Sequence, residues 1–299
     1  MSTNLTFKEI ITGERFQALA DVTLVTFSHS QVHTSCPPVN RIFYEQFYGL
    51  SDLKLKPLTS IFIYASNQQL FKTLVLPLIK VEIILLVHNG DDEFSDLDII
   101  ENPNIVHILA QNCPIEHEKI THVPIGLANQ MWPHGDLKTF YSIPESCHTP
   151  KSDSLYVNFG TSTFPSLREP LIKKIKSAAA IPDSNISLEE GKSFSQYLAT
   201  MKNCQTVISP RGNGLDCHRT WEALYLGCKV ICDKNPLSTI FKKMGLDIFL
   251  FEGLDYETAY NEAQGVSSDV KDINKWLLLS TYKNIIDSYK SKSTTFDSC

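Results

Sequence analysis

No run of 18 apolar residues occurs anywhere in this 299-residue chain, and its opening MSTNLTFKEIITGERF has no apolar core of the kind a secretory leader needs. The expectation is a soluble, cytoplasmic protein with no membrane span. A C-x-x-C pair is also missing: of eight cysteines, Cys204, Cys228 and Cys232 sit inside apolar runs and read as small buried hydrophobes, not as a disulfide framework. His117 and His122 are five apart in a polar stretch, which matches no zinc spacing, so no metal site is expected. Basic excess is lacking as well. With 27 Lys and Arg against 33 Asp and Glu, the net charge of −6 provides no electrostatic footprint for nucleic acid or anionic lipid. Neither an internal repeat nor a low-complexity block is found, which leaves small molecules as the natural partner class.

What is present is an alternation of short apolar runs with helical stretches. The length predicts two domains of about 150 residues, and the alternation predicts an α/β fold with parallel sheets. Residues 21–27 and 60–65 read as strands, separated by a polar loop over 28–40 that carries His29 and His33. Residues 68–79 read as a helix with Leu70, Phe71, Leu74 and Leu78 inward, and 81–87 (VEIILLV) as a central parallel strand, apolar nearly throughout. That strand runs into HNGDDE. Ligands of open α/β sheets bind beyond the carboxyl ends of the strands, so Asp91, His88 and Asp92 are candidate catalytic residues, with Asn89 beside them. The competing reading is a plain N-G-D turn. After a strand at 105–109, Val123 to Gly126 leads into LANQMWPHGD, where Asn129, Trp132 and His134 either shape a sugar pocket or pack a loop. A Ser- and Pro-rich change of composition over 142–154 reads as the interdomain linker. The expected domains are therefore 1–145, joined by a C-terminal helix over 269–290, and 153–265.

The second domain holds the most informative stretch, QTVISPRGNGLDCHRTWEALYLGCKVICD over 205–233. It reads as strand, glycine loop, helix, strand, with Asp216 as N-cap and Gly227 as the helix stop. On a helix, Cys217, Trp221, Leu224 and Tyr225 form an apolar stripe, while His218, Arg219 and Glu222 share the adjoining face. An anion such as a diphosphate would meet Arg211, Arg219, the backbone of Gly212, Asn213, Gly214 and Asp216, and the positive end of the helix dipole. A carboxylate at Glu222 suits the paired hydroxyls of a ribose. The bland alternative is a solvated Arg219–Glu222 pair worth roughly 0.2–0.5 kcal/mol. A dinucleotide oxidoreductase is disfavoured, because Cys217 stands where the third glycine of G-x-G-x-x-G would be. Upstream, LYVNFG over 155–160 starts another strand. Ser166 and Glu169 match a capping box with Pro170 in the first turn, which places Thr161, Ser162 and Arg168 near a second helix start. No D-x-D closes a strand of this domain.

SPRGNGLDCHRTWEALYLGCKVI resembles the donor-site signature of exostosin-like glycosyltransferases, in which an arginine, E-A-L, a small-residue turn and a strand recur. HNGD at 88–91 and HVPIGLANQMWPHGD at 122–136 are similar to segments of small soluble members of that family, including those carried by large DNA viruses. The resemblance spans roughly residues 60–235. It implies a GT-B architecture, two Rossmann-like domains facing a central cleft, and an inverting, metal-independent transfer of one sugar to an oligosaccharide or glycoprotein acceptor. The donor it implies is a UDP-sugar, UDP-xylose being one candidate, with no cofactor besides. By the same resemblance Arg168 meets the diphosphate, Asp91 of HNGD is the general base, and a viral member would work in the host cytoplasm. The alternatives are a GDP-sugar (fucosyl) transferase on the same fold and a non-catalytic glycan-binding protein.

Overall fold

The apolar runs of the first 125 residues pair into one parallel sheet, seen in a computed structural model that describes residues 6–27, 40–143, 151–266 and 274–293. The chain divides into two units. One comprises Lys8–Ile125 with Lys275–Cys299, the other Gly126–Asn274 with Met1–Phe7.

In the first unit the strands are β1 (Val22–Val25), β2 (Arg41–Phe43), β3 (Thr59–Tyr64), β4 (Ile83–His88), β5 (Ile105–Ala110) and β6 (Ile120–His122). Their order is β2-β1-β3-β4-β5-β6, every pair parallel. β4 is buried along its whole length, as its unbroken hydrophobicity requires of a strand covered on both faces. One face packs against Phe71, Phe94 and Ile99, the other against Phe16, Tyr282 and Ile286. Tyr282 and Ile286 are one turn apart on the helix Leu279–Ser293, so the end of the chain completes the core of this first unit.

The second unit holds β7 (Ser152–Val157), β8 (Ile186–Leu188), β9 (Cys204–Ile208), β10 (Lys229–Asp233) and β11 (Ile248–Phe251), in the order β11-β10-β9-β7-β8, again all parallel. The chain leaves β7 toward β8 on one side and returns to β9 on the other. The loops after β7 and β9 therefore part, and the crevice beyond their carboxyl ends is the topological switch point where such sheets bind ligands. Both units are Rossmann-like α/β folds.

Several expectations are corrected. The boundary falls at Gly126, not within 142–154. Residues 126–143 belong to the second unit because Phe140 sets its ring edge-on to Tyr225 at 6.3 Å and Lys202 Nζ donates to the Ile143 carbonyl at 3.4 Å. Residues 144–150 of the expected linker, 28–39 of the histidine loop, 269–273 of the expected last helix and the tail 294–299 lie outside the described residues. The 68–79 helix is a mosaic: a 3-10 turn Ala65–Asn67, an α turn Gln68–Leu70, a π segment Phe71–Val75 and a 3-10 turn Leu76–Leu78 that contains Pro77. The helix Pro165–Ala179 starts on Pro165, with Phe164 as N-cap, so the Ser166–Glu169 box does not form and Pro170 lies inside the helix. The short edge strands β2 and β8 have no fully buried residue, which is why periodicity did not reveal them.

Candidate functional site

At the switch point of the second unit, the loop after β9 is held from both sides. Arg168 reaches in from the helix Pro165–Ala179. Its Nε donates to the Arg211 carbonyl at 2.8 Å, Nη1 to the Gly160 carbonyl at 2.8 Å and Thr163 Oγ1 at 2.6 Å, and Nη2 to the Pro210 carbonyl at 2.9 Å and Cys217 Sγ at 3.9 Å. All five donors of the guanidinium are thereby engaged within the protein. From the end of β10, Asp233 Oδ1 accepts from the Arg211 N–H at 2.6 Å. The loops after β7 and β9 are thus pinned to one side chain, and Pro210–Arg211 has its carbonyls and its N–H fixed by opposite charges.

This changes the expected role of Arg168. It is neither a diphosphate ligand nor an exposed first-turn side chain: it is 4% exposed and has no donor to spare. Thr163, five residues before Arg168, and Asp233, 22 residues beyond the Arg211 whose N–H it accepts from, went unrecognised in the sequence, because a hydroxyl in a loop and a carboxylate at a strand end carry no periodic signal. Thr161 and Ser162 lie on the β7 loop. Thr161 lines a cleft of about 550 Å³ with Asn158, Glu169 and Ile172, while Ser162 is exposed.

Asp216 is also reassigned. The helix is His218–Tyr225 with Cys217 as N-cap and no side-chain cap. The Asp216 carboxylate instead accepts from the Trp221 indole N–H at 2.7 Å and from the Cys217 N–H at 2.7 Å, so it locks the loop onto the buried tryptophan. Thr220 Oγ1 meets Ser209 Oγ at 2.9 Å and fastens the helix to the end of β9. Gly212 lies under the clamp, where a Cβ would sit 3.5 Å from Arg168 Nη2; Gly214 is buried and Asn213 exposed. Gly227 stops the helix at φ +71°, as read.

The face expected to be polar is turned largely inward. Glu222 is 4% exposed, and its Oε2 accepts from the Tyr197 hydroxyl at 2.6 Å, so a solvated Arg219–Glu222 pair is ruled out. Burial pushes the Glu222 carboxyl up from its ordinary range, against the opposing pull of the Tyr197 hydrogen bond and the Arg219 charge. Arg219 is half-buried, with Nη1 3.8 Å from Cys217 Sγ and its guanidinium 6.0 Å from the centre of the Phe159 ring. Its Nε is buried and has no hydrogen-bond partner. Arg211 lies over the Phe164 ring at 4.5 Å, donates from Nη2 to the Asn213 carbonyl at 3.1 Å, and likewise keeps a buried, unpartnered Nε. His218 Nδ1 donates to the Gly126 carbonyl at 2.8 Å.

In the first unit, the turn after β4 is built on buried polar groups. His88 is fully buried. Its Nε2 donates to the Pro124 carbonyl at 2.9 Å, its Nδ1 accepts from the Asn89 N–H at 2.8 Å, and its ring lies 4.9 Å from that of Phe16. With both ring nitrogens bonded, His88 is a neutral brace, which corrects its candidacy as a base. Asn89 adopts φ +60°, and the Gly90 carbonyl accepts from Gln111 Nε2 at 2.8 Å and Asn112 Nδ2 at 3.1 Å. Asp91 and Asp92, next along the chain, are exposed.

Among the described residues no group of three or more His, Cys, Asp or Glu could hold a metal ion, and no helix is long and apolar enough to cross a membrane. No family model matches the chain, and no curated protein matches it. Solved structures do. The pneumococcal O-GlcNAc transferase GtfA in complex with UDP and GlcNAc is similar at 10% identity and TM-score 0.34, over 77% of this chain and 56% of that one. A GtfA/B complex is similar at 12% identity and TM-score 0.32, over 82% of this chain and 51% of that one. The chain thus spans about half the length of the structures it matches. A likeness this weak carries nothing about activity.

Proposed function

We propose that the second unit binds a nucleoside-diphosphate sugar and that the chain is an inverting glycosyltransferase of GT-B type, moving one sugar to a glycan hydroxyl. The observation that carries this reading is the pair of buried, unpartnered Nε atoms of Arg211 and Arg219 beside a braced loop at the switch point. A buried donor without an acceptor costs about 1–3 kcal/mol. Two guanidinium groups sharing that condition at a crevice beyond strand ends fit an anion with several oxygens, such as a diphosphate. As the glycosidic bond breaks, negative charge grows on the departing diphosphate, and fixed cations there lower the barrier without reorganising.

Arg168 acts one step back, by holding the β9 loop in the shape the anion meets. Glu222, steadied by Tyr197, faces the ribose. In the first unit Asp91 takes the proton of the acceptor hydroxyl, since it is an exposed carboxylate on a turn held by His88, Gln111 and Asn112. UDP is the nucleotide favoured by the exostosin resemblance, and UDP-xylose is a first sugar to try. Titration calorimetry of the intact protein with UDP, GDP and their sugars tests the reading. Binding of UDP and its sugars supports it, selective GDP binding moves the donor to the fucosyl class, and no binding of any nucleotide overturns it in favour of a glycan-binding protein.

A further inference from the structure

An aromatic array in the second unit runs from His218, beside the arginine pair, out to Trp132. Trp132 is 50% exposed, which is unusual for an indole, and its ring lies 6.3 Å from that of His134 at an interplanar angle of 18°. The His134 ring in turn is 6.2 Å from that of His218, the first residue of the helix that carries Arg219. The row therefore begins beside the proposed phosphate site and ends in solvent.

The loop that displays Trp132 is closed and braced. The Trp132 N–H donates to the Asn129 carbonyl at 3.0 Å, and the Gly135 N–H donates to the Trp132 carbonyl at 2.8 Å. At Gly135 a Cβ would stand 1.9 Å from the Asn129 carbonyl oxygen, so the loop closes only with glycine there. Asp136 then caps the helix Leu137–Tyr141 through the Lys138 N–H at 2.9 Å. Partial burial holds the His134 imidazole below its ordinary range, which leaves it neutral near pH 7 and able both to donate and to accept.

A rigidly held, solvent-facing indole flanked by a neutral imidazole matches the apolar C–H face and the hydroxyl rim of a pyranose. We infer that Trp132, His134 and His218 form a carbohydrate ledge on which Trp132 stacks against a ring of the acceptor glycan, beyond the sugar being transferred. The word acceptor rests on the nucleotide-sugar reading of the Arg211 and Arg219 crevice; sugar binding by Trp132 does not.

The test uses the intact protein, UDP, UDP-sugars, and three probe glycans: cellotriose, xylotriose and tri-N-acetylchitotriose. Trp221 is fully buried and Trp276 partly so, which makes Trp132 the indole most open to a collisional quencher such as acrylamide. At least one trisaccharide should shield the tryptophan fluorescence. Trp132→Ala should weaken that trisaccharide about tenfold or more by calorimetry, with Trp132→Phe recovering part of the loss. UDP affinity should stay within about twofold in both variants. The inference is overturned if no trisaccharide binds, or if Trp132→Ala binds it as the wild type does. Shielding by a UDP-sugar alone would give the ledge to the donor and refute the acceptor assignment. Trisaccharide binding without any nucleotide binding would instead remove the transferase reading and leave the ledge standing.

Discussion

The Tyr197 hydroxyl donates to Glu222 Oε2 at 2.6 Å across two helices, with Glu222 buried and Tyr197 half-buried. Burial raises the Glu222 carboxyl above its ordinary 4.5, so the protonated form favours the folded state. That contribution is complete below the unfolded value and is lost as pH rises through the folded one. Glu222→Gln, which stays neutral and keeps an acceptor for Tyr197, should therefore melt higher than wild type, by a margin that grows with pH across this window and then levels off. Nucleotide binding should weaken in the same variant. Thermal melts from pH 4 to pH 8 decide it; a margin that shrinks with rising pH refutes the assignment.

Tyr197→Phe removes a hydrogen bond that lowers the Glu222 carboxyl, so the carboxyl should move further up. If Glu222 serves the ribose as a carboxylate, the pH midpoint of nucleotide binding should shift upward with it. A purely packing role for Tyr197 would weaken binding equally at every pH.

Arg168→Lys is not a conservative change, because an ammonium has three donors where the guanidinium uses five in a fixed plane. The expected loss is about 2–4 kcal/mol of unfolding free energy in denaturant titrations, together with loss of nucleotide binding. A variant as stable as wild type with normal binding would mean that the clamp holds nothing of consequence.

Arg219→Ala should lower turnover more than donor affinity, since its charge matters most as the leaving group departs. Steady-state kinetics beside calorimetry separates the two quantities. The reverse pattern, with affinity lost and turnover kept, would assign Arg219 to ground-state binding.

Asp91→Asn should keep the fold and donor binding while turnover falls by a factor of roughly 10²–10⁴. His88→Ala should instead lower the melting temperature, because it unlatches the Pro124 carbonyl and the Asn89 N–H from a buried brace. Turnover should also survive chelation with EDTA, for the proposed charge stabilisers are arginines. A strict requirement for added manganese would count against the arginine site.

Apolar runs and turn residues were enough to place β4, β9 and β10, the glycine loop after β9, the helix it opens onto and the stop at Gly227, because each is dictated by neighbours a few residues away. That a C-terminal helix joins the first unit was expected from the GT-B resemblance, and the helix itself runs over Leu279–Ser293, starting ten residues later than the expected 269. What only the tertiary structure decided is where the polar side chains point. Arg168 and Glu222 look like surface charges in the sequence, yet one is consumed by carbonyls 42 and 43 residues away and the other by a tyrosine 25 residues away. His88 looks like a base and is a brace. Periodicity records which side of an element is apolar; it carries no information about which distant donor will satisfy a buried acceptor. That pairing follows from strand order, and the order of β7, β9 and β10 exists only once the sheet has formed.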